Sequence, residues 1–280
     1  MTIRPLPVPT RIYGGEGLIS YATRHAMRNG TSVDEIERAL TQSGALRITG
    51  RRLAPDRLQA WRQLGALHPS AFTTPTMIDG AEVAGRPLCL RCTGGTGGTG
   101  RLPRMGWVCI RHRRWIGTPQ HDIHALPELA AAERHYRRFL VPRGVLVYSP
   151  IMQMARECAI VGIGQSILSH RALRAGTSDP DPLAYPETIG VALLITSPAF
   201  NAQMLQPRLG PSGRHALSLR IAAHIFPEEE DNESWRAATK ISARFNAIAL
   251  ELEKGTFMEP PQGTQTSDTA LASAWRVWGR

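Results

Sequence analysis

The sequence predicts a mainly α-helical protein with a small metal-nucleated module at its centre. Three observations carry this. Apolar residues recur at three- and four-residue spacing over most of the chain, cap and breaker residues bracket those stretches, and two Cys-containing pairs interrupt them between residues 86 and 118. The 280 residues are 42% hydrophobic and 20% charged, which suffices for a sizeable core and excludes a chain disordered throughout.

Pro5, Pro7 and Pro9 keep the first thirteen residues extended, because the prolyl ring fixes φ and removes a donor. Gly14–Gly17 then open a helix whose Leu18, Ile19, Ala22, His25 and Ala26 share one face, ending near Asn29–Gly30. Ser32 caps a second helix, and Glu35 three residues on completes a capping box; Ile36, Ala39 and Leu40 form its stripe. Residues 44–53 are ambiguous, and Pro55–Asp56 start a third helix carrying Leu58, Trp61, Leu64 and Leu67. These three short helices read as a helix-turn-helix-like bundle within an N-terminal domain, residues 1–80, whose end from residue 69 merges into a Pro/Thr/Gly linker running to 85.

Residues 86–118 read as a zinc-ribbon module, with the Gly94–Gly100 run as a flexible hairpin excursion. Beyond Pro127, Leu129, Ala132, Tyr136, Phe139 and Leu140 make an apolar helix face, with Arg134, Arg137 and Arg138 mostly opposite. Further helices are expected at about 150–175, 186–205, 213–226 and 233–253, giving a C-terminal helical domain, residues 119–254. The acidic run from Glu228 to Asp231 reads as a solvated turn, and residues 255–280 as a disordered tail by composition.

The chemistry lies in Cys89-Leu-Arg-Cys92, sixteen residues, then Cys109-Ile-Arg-His112. Zinc takes four thiolate or imidazole donors in a tetrahedron, and a CxxC or CxxH turn presents two donors at once. Cys89, Cys92, Cys109 and His112 therefore form a complete ligand set for one Zn2+. With every position filled by protein, no site stays open for water, so the zinc is expected to be structural. A cytidine-deaminase arrangement is excluded, since it needs an upstream His-x-Glu and a Pro directly before the Cys pair, whereas Leu88 separates Pro87 from Cys89. His121, Asp122 and His124 read as a polar loop rather than a second metal group, and Cys158 as a buried, inert thiol. No Gly-x-Ser-x-Gly and no paired-carboxylate setting appears, so the chain is not expected to be an enzyme or to take a small-molecule substrate.

The net charge is +10 and nearly all of it is arginine, Lys240 and Lys254 being the only lysines. From Arg86 to Arg143 eleven arginines face three acids, so this segment alone is +8. Focused positive charge points to an anionic partner, and DNA is the expected one. Arg91, Arg101, Arg104, Arg111, Arg113 and Arg114 crowd the metal module as candidate phosphate contacts. Trp107 and Trp115 flank the second pair and read first as the small core a ribbon needs. No apolar run approaches the ~20 residues of a membrane span, and no secretory leader is seen, so a cytoplasmic protein without membrane contact is expected.

The order of these features resembles the TniQ family. The likeness rests on a Pro-rich start, Gly-Glu-x-Leu-x-Ser-Tyr (Glu16, Leu18, Ser20, Tyr21) with Arg24, Asn29-Gly30-Thr31-Ser32, and the stretches PLCLRC and WVCIRHRRW, over about residues 5–145. Tyr21 stands where the family commonly has Trp, Gly17 where it has Ser, and the Gly-rich excursion is unusual. The resemblance implies an accessory protein of DNA transposition that helps select or mark a target and recruits an AAA+ ATPase, which engages the transposase. It matches Cys89, Cys92, Cys109 and His112 to the zinc ligands, and gives Glu16 and Arg24 a structural or ATPase-facing role. The alternatives are a stand-alone DNA-binding transcription regulator and a protein-interaction scaffold without DNA binding.

Overall fold

The computed structural model describes residues 3–47, 54–228 and 230–254, and these are mainly helical. The expected tail, residues 255–280, and part of the ambiguous 44–53 stretch lie outside the described residues. Among the described residues no helix is long and apolar enough to cross a membrane. The chain divides into two compact units, one reaching to Ile78 and resuming over Glu82–Leu102, the other comprising Asp79–Ala81 and the chain from Pro103. This division follows a different line from the segments expected from sequence, because residues 86–102 pair with the N-terminal elements and Val108 and Trp115 belong to the later helical core.

In the first unit, α1 (Leu18–Arg28), α2 (Val33–Gln42) and α3 (Pro55–Leu64) bury Leu18, Ala22, Ala26, Ile36, Trp61 and Leu64 against one another. The α2 capping box forms as the spacing requires: Glu35 N donates to Ser32 Oγ, and Ser32 N to Glu35 Oε2 at 2.9 Å. The Thr31 hydroxyl and the Ser32 backbone hold the Glu35 carboxyl below its ordinary range. The third helix is one turn shorter than the Leu67 periodicity suggests; it ends at Leu64, and Ala66 turns to φ 48°. The Pro-rich strap is tied down by Leu6 N to Leu64 O (2.9 Å) and by Asn29, which bonds both N and O of Val8.

Four short strands frame the cysteines: β1 (Met77–Ile78) and β2 (Ala81–Glu82) precede them, and β3 (Arg86–Pro87) pairs antiparallel with β4 (Thr99–Gly100). The glycine run is therefore not a loop outside the hairpin; its last two residues are the return strand.

In the second unit, β5 (Val108–Cys109) pairs with β6 (Arg114–Trp115), with Val108 opposite Trp115 and Cys109 opposite Arg114. Then follow α4 (Pro127–His135) with a π-turn over Tyr136–Leu140, α5 (Pro150–Gly162), α6 (Gln165–Ala175), α7 (Pro180–Leu183), α8 (Tyr185–Ile195), α9 (Pro198–Met204), α10 (Pro211–Ile225) and α11 (Ser234–Glu253). Alanines such as Ala155, Ala159, Ala192, Ala237 and Ala238 are fully buried, which lets α5, α8 and α11 approach closely. The expected helix 150–175 is broken at Gly164, where Asp231 accepts from Ser166 N at 2.8 Å and caps α6; a Cβ on Gly164 would lie 2.3 Å from that carboxylate. The expected 186–205 helix breaks at Ser197, which caps α9, with Pro198 at its first turn.

Candidate metal centre

The first pair of candidate ligands sits at the tip of the β3–β4 hairpin. Thr93 N donates to Cys89 O (3.1 Å) and Gly95 N to Leu90 O (2.8 Å), winding Cys89 to Cys92 into a tight turn. Gly94 and Gly95 take φ of 60° and 84°, a region where a side chain is strained, so the chain can reverse at once. The buried Thr93 then closes the loop, its hydroxyl accepting from Gly97 N at 3.1 Å.

The N-terminal motif holds this hairpin in place. Glu16, buried, accepts from Arg24 Nε (2.9 Å), Arg24 Nη2 (2.7 Å), Ser20 Oγ (2.8 Å) and Tyr13 N (3.1 Å). Ser20 Oγ in turn accepts from Thr99 N at 3.1 Å, and Gly17 N donates to Thr99 O at 3.0 Å. Gly100 passes so close to Gly15 that a Cβ there would lie 2.2 Å from the Gly15 carbonyl oxygen. The Glu16 carboxylate is thus spent on bonds inside the fold, and Arg24 adds a donor bond to Arg11 O and a stack on Tyr13 at 4.2 Å. Their geometry is structural: they orient the strand that returns from the CxxC turn.

The second pair lies on the β5–β6 hairpin. Cys109 is buried at the end of β5, and Cys109 Sγ stands 3.7 Å from His112 Nδ1. Arg113 closes the turn with φ 45°. Behind the hairpin stands Glu133, fully buried on α4, a residue that no motif in the sequence marks. It accepts from Gly106 N (2.9 Å), Val108 N (3.2 Å), Tyr185 Oη (2.8 Å) and Arg137 Nε (2.6 Å). Arg137 also donates to Val108 O at 3.1 Å, so this pair covers the backbone edge of β5 that β6 leaves open. Burial, and then the Glu133 charge beside it, push the Tyr185 hydroxyl well above its ordinary pKa. Trp115 is buried in the core of the later helices rather than in a core of the cysteine module's own, and Trp107, half-buried, stacks on it at 5.6 Å.

One ligand atom from each of Cys89, Cys92, Cys109 and His112 lies within 4.8 Å of all the others. A tetrahedron with metal–sulfur bonds of about 2.3 Å has edges of about 3.8 Å, close to the 3.7 Å between Cys109 and His112. Three thiols and an imidazole at this separation fit one metal ion. His121 faces Asp179 at 3.8 Å and His124 bonds Asp122 at 2.6 Å, and these form no further candidate metal group among the described residues. Cys158 is buried in α5, and that burial pushes its thiol up to about 12, consistent with an inert core residue.

The six arginines singled out in the sequence divide into two kinds. Arg91, Arg104, Arg111 and Arg113 are exposed. Arg101 is half-buried with Nε on Val83 O at 3.1 Å, and Arg114 is half-buried with its Nε buried and without a hydrogen-bond partner among the described residues. Arg134 and Arg138, exposed on α4 and the π-turn, add cations that the sequence pattern places only as a polar face. No family model, curated protein or solved structure matches this chain.

Proposed function

We propose that this chain is a non-enzymatic, zinc-ribbon DNA-binding adaptor of the TniQ type, which helps select or mark a DNA target and recruits an AAA+ ATPase and its transposase. The observation that carries it is a closed Cys3His donor set whose own turns display exposed arginines: Arg91 inside the CxxC, Arg111 inside the CxxH and Arg113 beside it. The donor set suits Zn2+, and four protein ligands leave it no open position for catalysis. Cys89, Cys92, Cys109 and His112 would hold the ion, which supplies folding energy to hairpins with little core of their own. In this reading α1–α3 form the helix-turn-helix-like part.

Phosphate contacts by arginine give affinity with little sequence information, so the choice of target falls to a helix, to DNA shape or to the partner. The test is an electrophoretic titration of duplex DNA over a salt series with Arg104→Ala, Arg111→Ala and Arg113→Ala combined. Removing one arginine–phosphate pairing should flatten the slope of log K against log salt by about 0.9, so the triple variant should flatten it by up to about 3. An unchanged affinity and slope would remove these arginines from the mechanism.

A further inference from the structure

In the second unit a cavity of about 270 Å³, lined by none of the candidate metal ligands, opens against β6 and α5. Four aromatic rings line it. Trp107 stacks on Trp115 at 5.6 Å, Tyr148 meets Trp107 edge-on at 5.2 Å, and Tyr185 meets Trp115 edge-on at 5.3 Å. Trp115 and Tyr185 are buried and fix the others, whereas Tyr148 is 47% exposed at the mouth. One side is polar. Arg156 Nε donates to Asp181 Oδ1 at 2.5 Å, and Gln153 stands one turn before Arg156 on α5.

Charge and size narrow what this lining complements. The guanidinium disfavours a cation and the carboxylate an anion. The polar side is wasted on an alkyl chain. What fits is neutral and flat, with donors and acceptors along its edge. The volume is at the low end of the ~300–1,000 Å³ of ligand pockets, so it takes one ring system with any sugar left outside. We propose that this cavity binds a single nucleobase, stacked on the tryptophan–tyrosine wall with its edge toward Gln153, Arg156 and Asp181. The source, an unpaired base in a strand or a free nucleoside, shares that chemistry. The strand version rests on the nucleic-acid reading above.

The test follows the indole N–H resonances of Trp107 and Trp115 in the full chain during titration with adenosine, guanosine, cytidine and thymidine. Nucleosides carry no phosphate, so this arm is independent of the arginine titration and the two readings fail separately. We expect saturable shifts with at least one nucleoside, affinity lower by about tenfold in Tyr148→Ala, and retention in Tyr148→Phe. Tyr148 is half-exposed, so its truncation leaves the buried core intact. N-acetyltryptophanamide stands in for an aromatic side chain of a partner protein. No saturable shift with any nucleoside, or an equal response to N-acetyltryptophanamide, overturns the proposal. A short single strand binding about tenfold more tightly than its abasic counterpart assigns the source to a strand; equal binding of the two, with nucleoside shifts present, assigns it to free nucleosides.

Discussion

At the scale of single residues, the buried polar groups set what the fold demands. His25 is fully buried on α1, with Nδ1 3.0 Å from Thr10 Oγ1 and Nε2 3.1 Å from Leu64 O. Since a carbonyl only accepts, Nε2 carries the proton and Nδ1 accepts from the threonine. Burial lowers the His25 pKa below 6.5, the Leu64 carbonyl opposes this and the Arg24 cation adds to it. The unfolded chain therefore takes up this proton first. Stability is complete above about pH 6.5 and falls as the pH drops through the lowered value. Urea unfolding at pH 7.5 and 5.5 should show a loss in the wild type that is smaller in His25→Gln. Glu133 has the larger structural role. Glu133→Ala would strand the Gly106 and Val108 amides and the Tyr185 hydroxyl, at about 1–3 kcal/mol for each buried group left unpaired. Calorimetry should show the melting temperature falling well beyond that of Glu35→Ala, which is exposed; equal shifts would refute the role.

At the scale of elements, each cysteine hairpin carries its own support. The β3–β4 hairpin is held by Glu16, Ser20 and the glycines of its turn, and the β5–β6 hairpin by Glu133 and Arg137. The glycines are needed where φ is positive. Gly95→Ala, at φ 84°, should cost about 1 kcal/mol or more and weaken metal retention under a chelator challenge, because the turn that presents Cys92 would be strained. In α2, Ser32→Ala removes one side of the capping box and should cost about 1 kcal/mol in denaturant titrations, with Ser32→Asp retaining most of the stability. The N-terminal Glu-x-Leu-x-Ser pattern gains a physical meaning at this scale: it positions a strand rather than displaying a carboxylate.

For the whole molecule, the metal makes the predictions. Purified protein should hold one metal ion per chain by elemental analysis, and Cys92→Ser should lose it. Because Cys92 is exposed, this substitution costs little packing, so a variant that folds yet keeps stoichiometric metal would refute the ligand set. Hydrogen exchange after chelation should rise most around residues 89–97, where glycine turns leave little apolar packing, and least in α5, α8 and α11, which hold many of the buried apolar residues.

Local chemistry was readable from the chain because its signals lie within a few bonds of what they control. Ser32 with Glu35, Pro55 and Pro127 place helix starts, and CxxC and CxxH place donors in pairs. Ser197–Pro198 was an equally local stop that the apolar pattern around it obscured. The rest depended on residues far apart in sequence. Asp231 caps the start of α6 from 65 positions away, Glu133 grips a strand 25 positions earlier, and Tyr185 closes on both Trp115 and Glu133. Which arginines turn inward, and which rings enclose a cavity, are decided by such distant packing, because a side chain's surroundings are fixed only once the backbone has folded past it.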